Sequence, residues 1–186
     1  ILNESDLSPI LAGNMGFAFS RAILNDLFEC DKSRVYILEL SSFQLENVVS
    51  FKPFISILLN ITPDHQDRYS NMEKYLKAKM KISMNQDKEC HLLYNSDDKV
   101  LVENCKNLNA RKTTFGLENN GQNIIKSDGF NIYIDQKKLI STDTIILKGR
   151  HNLSNILAAT TAAKILNVND ESIVKVLSKI SGIEHR

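Results

Sequence analysis

With 186 residues, 42% of them apolar and 24% charged, the chain has the composition of one globular domain large enough to bury a core of its own. A formal net charge of +1 excludes a broad electrostatic footprint for nucleic acid, though not a local phosphate site. The longest aliphatic run, around Ile55 to Ile61, falls far short of the roughly 20 residues a bilayer-spanning helix needs, so no membrane partner is expected.

No cationic leader with an apolar core opens the chain, and the expected compartment is the cytoplasm. Cys30, Cys90 and Cys105 are odd in number, far apart and without a C-x-x-C pair, which fits free thiols in a reducing environment. The chain opens at Ile1 without a methionine and stops at His185-Arg186, so a piece of a longer protein is expected.

In chain order, SPILAGN (Ser8 to Asn14) reads as a short strand running into the turn GNMG. A helix over about Phe17 to Phe28 follows, with Phe17, Ile23, Leu24, Leu27 and Phe28 as its apolar residues. VYILEL (Val35 to Leu40) reads as a buried strand and FISILLN (Phe54 to Asn60) as another. A helix is expected over Asn71 to Met84, opened by a capping box of Ser70 and Glu73. A strand at Cys90 to Tyr94, a helix near Asp97 to Asn107 and a strand at Lys112 to Phe115 complete the alternation. That pattern indicates an α/β fold, a mostly parallel sheet flanked by helices. The character changes between residues 117 and 147. Gly121, Asp128-Gly129, the alternating FNIYID (Phe130 to Asp135) and TIILKG (Thr144 to Gly149) predict a small antiparallel portion. Helices close the chain over His151 to Leu166 and about Asp170 to Ile180.

The chemistry concentrates at strand ends. Glu39 is a carboxylate near the C-terminal end of an apolar strand, where open α/β sheets bind ligands, and a buried carboxylate needs a cation or metal. His65, in TPDHQDRY just past the FISILLN strand, suits a metal ligand, a general base or a solvated loop residue. Lys79 falls between Met72 and Tyr75 on the apolar stripe of its helix, while Lys74, Lys77 and Lys81 lie opposite. Such a lysine either snorkels past the helix edge or, desolvated, offers a neutral amine that reacts with carbon dioxide. The resulting carbamate is an oxygen ligand for magnesium. The glycines of GNMG let a backbone approach a ligand. Asn152 and Asn155 stand three apart at a helix start, suited to capping or to hydrogen-bonding a base or ribose.

GNMG, ELSSFQLE, NITPDHQDRY, KAKMKI, KGRHNLSNILAA and the terminal HR occur in the order and spacing of the Mur ligases. The chain resembles that family along its whole length, and ELSSFQL resembles the branch that adds D-glutamate.

The resemblance implies a central ATP-binding domain over residues 1–186. It also implies an ATP-dependent reaction that joins D-glutamate to UDP-N-acetylmuramoyl-L-alanine through an acyl phosphate, in peptidoglycan precursor synthesis. It makes Glu39 and His65 magnesium ligands and Lys79 the lysine carbamylated to hold a second Mg2+. His65 and Lys79 thereby count as catalytic. Asn14, Ser41 and Gln44 become substrate contacts, and Asn152, Asn155 and Arg186 contacts to ATP. A monomer is expected.

The family's G-x-x-G-K-[ST] phosphate loop is expected just before Ile1, with a UDP-binding domain ahead of it and a D-glutamate-binding domain after Arg186. Residues 1–186 alone are therefore expected to be inactive, with Lys79 unmodified. The competing readings are another ligase of the Mur or folylpolyglutamate type, and a domain of the same fold that only binds a partner. Intact Glu39, His65 and Lys79 argue against the second.

Overall fold

The computed structural model describes residues 1–27, 33–62, 68–118 and 123–181. His65 and Arg186, and with them residues 63–67 and 182–186, lie outside the described residues.

β1 (Ser8–Gly13) and β2 (Arg34–Glu39) pair in parallel, with Gly13 opposite Glu39 at their C-terminal ends. α1 (Phe19–Asp26) packs on β1, and the short α2 (Ser42–Glu46) follows β2. A second parallel sheet runs in the order β3-β4-β5, formed by Ile55–Leu58, His91–Asn95 and Arg111–Phe115. Its strands are linked by α3 (Met72–Met80) and α4 (Lys99–Cys105), as parallel strands require. An antiparallel meander of β6 (Ile125–Ser127), β7 (Asn131–Ile134) and β8 (Lys137–Ser141) comes next. α5 (Arg150–Ile165) and α6 (Asp170–Leu177) complete the order.

β4 organises the core because it is the middle strand and apolar on both faces. Leu92 and Leu93 are both fully buried, and successive strand residues point to opposite faces. Leu92 joins the layer under α3 and α4, with Tyr75, Ala78, Leu101 and Cys105. Leu93 joins the layer under α5, with Phe115, Ile125, Ile132, Leu157 and Ile173. Burial among apolar side chains pushes the Cys105 thiol up to about 11, so it is a packing residue rather than a nucleophile.

The α/β class, the parallel sheet and the antiparallel portion are as expected from the sequence; four local expectations are corrected. VYILEL is not a buried strand: among the described residues β2 pairs only with β1, Ile37 is 42% exposed, and Glu39 is exposed. The helix expected from Phe17 begins at Phe19, and its apolar residues Leu24 and Leu27 face outward, leaving Ala22 as its buried contact. The α3 cap is Asn71, whose side chain accepts from the Lys74 amide at 3.0 Å, rather than Ser70. Residues 144–149 form no strand; the third meander strand is β8. Its two-residue turn places Asp135 and Gln136 at φ 45° and 70°, the double left-handed geometry that suits a tight hairpin.

Candidate functional site

The site is built on the C-terminal edge of the β1–β2 sheet. Gly13 takes φ 104°, and a Cβ there would lie 2.4 Å from the Glu39 carbonyl oxygen, so only glycine lets the two strand ends approach. Asn14 then donates its backbone N–H to that carbonyl at 2.7 Å, and its side-chain Nδ2 donates to Glu39 Oε1 at 3.3 Å. Among the described residues no cation pairs with Glu39. Its charge is therefore met by one neutral amide, and a second carboxylate oxygen remains for a ligand. An exposed, un-neutralised carboxylate at a strand end suits a hard divalent cation, which takes oxygen ligands. Among the described residues no three histidine, cysteine or acidic side chains gather into a metal cluster.

Ser41 and Gln44 form a capping box at the start of α2. The Ser41 hydroxyl accepts from the Gln44 amide at 3.3 Å, while Gln44 Oε1 accepts from the Ser41 N–H at 2.9 Å. Both side chains expected to touch substrate are thus tied to the helix terminus that follows Glu39. The box uses the Oε1 oxygen of Gln44, and among the described residues no acceptor takes its amide nitrogen.

α2 packs against α3, which carries Lys79. The Lys79 ammonium stands 5.3 Å from the centroid of the Tyr75 ring, and Tyr75 is buried. The side chain is half-buried: neither fully desolvated nor free on the lysine-rich face. That other face, with Lys74, Lys77 and Lys81, lines a cleft of about 560 Å³ with Glu46, Arg68 and Tyr69. Arg68 bonds Glu46 at 2.9 Å and holds its carboxyl below the usual range. Desolvation raises the Tyr69 phenol. The chain leaving β3 is pinned by Asp98, which accepts from the Ile61 amide at 2.7 Å while capping α4.

Asn152 and Asn155 lie in the first two turns of α5. Gly149 is the N-cap, without a side-chain cap, and Asn152 reaches back to donate to the Lys148 carbonyl at 2.8 Å. Asn152 therefore braces the loop into the helix, whereas Asn155 is exposed. A cleft of about 590 Å³ opens between this helix start and the meander, lined among others by Asp128, Asp143, Lys148, Arg150 and Leu153; neither asparagine lines it. The structure thus brings Asn14 to Glu39, and the helix after Glu39 to the helix of Lys79. The Asn14–Glu39 pairing has no local signal, because it depends on the parallel register of strands far apart in sequence.

A profile of the Mur ligase middle domain matches residues 21–163. The chain belongs to the Mur ligase family. It is 37% identical, over its full length, to the UDP-N-acetylmuramoylalanine--D-glutamate ligase of Geobacillus sp. (strain WCH70), of which it covers 40%. The ligase of the same name from Oenococcus oeni is also 37% identical over the full chain, which covers 41% of it. The chain thus spans about two fifths of the length of these relatives. Among solved structures, the MurF ligase of Thermotoga maritima in complex with ADP superposes with a TM-score of 0.68 at 15% identity, covering 98% of this chain and 44% of that one. A UDP-N-acetylmuramoyl-L-alanyl-D-glutamate--2,6-diaminopimelate ligase gives 0.66 at 20% identity, covering 90% and 37%. These likenesses establish the Mur ligase fold. Among the described residues no helix is long and apolar enough to cross a membrane.

Proposed function

We propose that residues 1–186 are the middle, ATP-using domain of a UDP-N-acetylmuramoylalanine–D-glutamate ligase. It would act in the cytoplasm in peptidoglycan precursor synthesis, together with a UDP-binding and a D-glutamate-binding domain. The observation that carries this reading is the 37% identity along the whole chain to ligases of that name. In the proposed reaction ATP phosphorylates the L-alanyl carboxylate of UDP-N-acetylmuramoyl-L-alanine. The amine of D-glutamate then displaces phosphate to form the amide, with ADP and phosphate released.

Within that reading Glu39 and His65 hold one magnesium ion, and Lys79, as a carbamate, holds a second. Magnesium would supply neutralisation of the charge that builds on the phosphoryl oxygens. Asn14, Ser41 and Gln44 orient the carboxylate end of the UDP-sugar, at the mouth formed by the β1 and β2 ends and the α2 cap. Asn155, exposed on α5, and Arg186 contact the nucleotide, and Asn152 holds the loop that leads into α5. The exposed Glu39 carboxylate, held through one oxygen by Asn14, supports the role given to Glu39.

The test is phosphate release by the complete protein with ATP, magnesium and UDP-N-acetylmuramoyl-L-alanine. Release that requires D-glutamate, and not L-glutamate or a folate substrate, is the expected result. Dependence on a folate or on another amino acid would overturn the substrate assignment. Residues 1–186 alone are expected to release no phosphate at a ligase-like rate.

A further inference from the structure

We infer that Asn14 is a positioning residue for Glu39: its side-chain amide holds one carboxylate oxygen and aims the other at a divalent cation. The inference rests on the proposed role of Glu39 as a metal ligand and adds to the substrate contact proposed for Asn14. Gly13 and Glu39 are opposite in the parallel register, and a Cβ on Gly13 would lie 2.4 Å from the Glu39 carbonyl oxygen. Asn14 is therefore delivered to Glu39 by the strand end itself. Its backbone N–H is bonded to Glu39 O at 2.7 Å, and its Nδ2 to Glu39 Oε1 at 3.3 Å. The amide orientation follows from chemistry, since an ionised carboxylate only accepts and the NH2 end must face it.

The identity of the residue matters. A lysine or arginine here would neutralise Glu39 and compete with a cation. An asparagine fixes the carboxylate rotamer and leaves its full charge in place. A 3.3 Å bond between exposed groups contributes little to stability, which fits orientation rather than scaffolding. Hydrogen bonds to ligating carboxylates serve this purpose in metal sites.

The experiment uses the complete protein and Mn2+ alone as the probe, with binding followed by electron paramagnetic resonance. Asn14→Ala and Asn14→Ser retain the backbone bond and remove the amide. Both are expected to weaken Mn2+ binding by about tenfold, the low end for losing a hydrogen bond to a ligating carboxylate, and to raise the Mg2+ needed for half-maximal phosphate release. Their thermal midpoints should match the wild type. Glu39→Gln is the control for the reading underneath: it should abolish binding at this site. If Glu39→Gln leaves Mn2+ binding unchanged, Glu39 is no ligand and the proposed site itself falls. If Glu39→Gln abolishes binding while both Asn14 variants keep wild-type Mn2+ affinity, the positioning role is overturned. Loss of folded protein in both Asn14 variants would likewise overturn it, marking Asn14 as structural.

Discussion

Lys79 shows how packing and chemistry separate at one residue. Its ammonium stands 5.3 Å from the Tyr75 ring centroid, a cation–π contact worth about 0.5–1 kcal/mol at a partly exposed position. Lys79→Ala should therefore lower the unfolding free energy by no more than about 1 kcal/mol in urea titrations. If Lys79 also carries the second metal, the same substitution should cut phosphate release by the complete ligase at least about a hundredfold. A stability loss with full activity would return Lys79 to packing alone. Its place beside Tyr75 was legible from the helical spacing. The setting of Glu39 was not, because exposure depends on which strands flank β2, and nothing local to VYILEL specifies that.

Among the elements, α3 and the β6–β7 hairpin carry predictions of different kinds. The α3 helix is capped by Asn71, so Asn71→Ala should cost about 1 kcal/mol. Ser70→Ala should stay within about 0.5 kcal/mol, and chemical denaturation of the two variants distinguishes these caps. Both candidates sit in the same SNME stretch; the structure selects Asn71 because its carbonyl side chain reaches the amide three residues on. In the hairpin, Asp128 accepts from Tyr133 Oη at 2.8 Å and from the amides of Asn131 and Phe130 at 2.7 and 2.8 Å. These donors, Tyr133 foremost, lower its carboxyl from 3.8 to about 2. The folded state thus prefers the ionised form. That contribution is complete above pH 3.8 and is lost as pH falls toward about 2. Asp128→Asn should be less stable than wild type at neutral pH, with the gap closing across that acid window. A gap independent of pH would show that the charge of Asp128 contributes nothing. The Asp-Gly turn was legible from sequence, whereas the Asp135-Gln136 turn was not, since neither residue advertises two left-handed φ values.

For the whole molecule, the division into parallel and antiparallel parts follows from patterns written along the chain. Alternating apolar strands and helical stretches before residue 116 determine a parallel α/β architecture. Short alternating runs with turn residues after it determine a meander, and the ordered motifs determine the Mur ligase family, borne out by the match over residues 21–163. Only the tertiary structure decides that the parallel strands form two separate hydrogen-bonded sheets among the described residues. That separation leaves Leu11 and Ile37 of β1 and β2 half-exposed while Leu92 and Leu93 of β4 are fully buried. It also decides that Gly13 faces Glu39 and that Asn14 therefore reaches the carboxylate. Periodicity records the local preference of a segment for helix or strand. Burial, register and the meeting of residues 25 positions apart arise from long-range pairing, which no single stretch of the chain encodes.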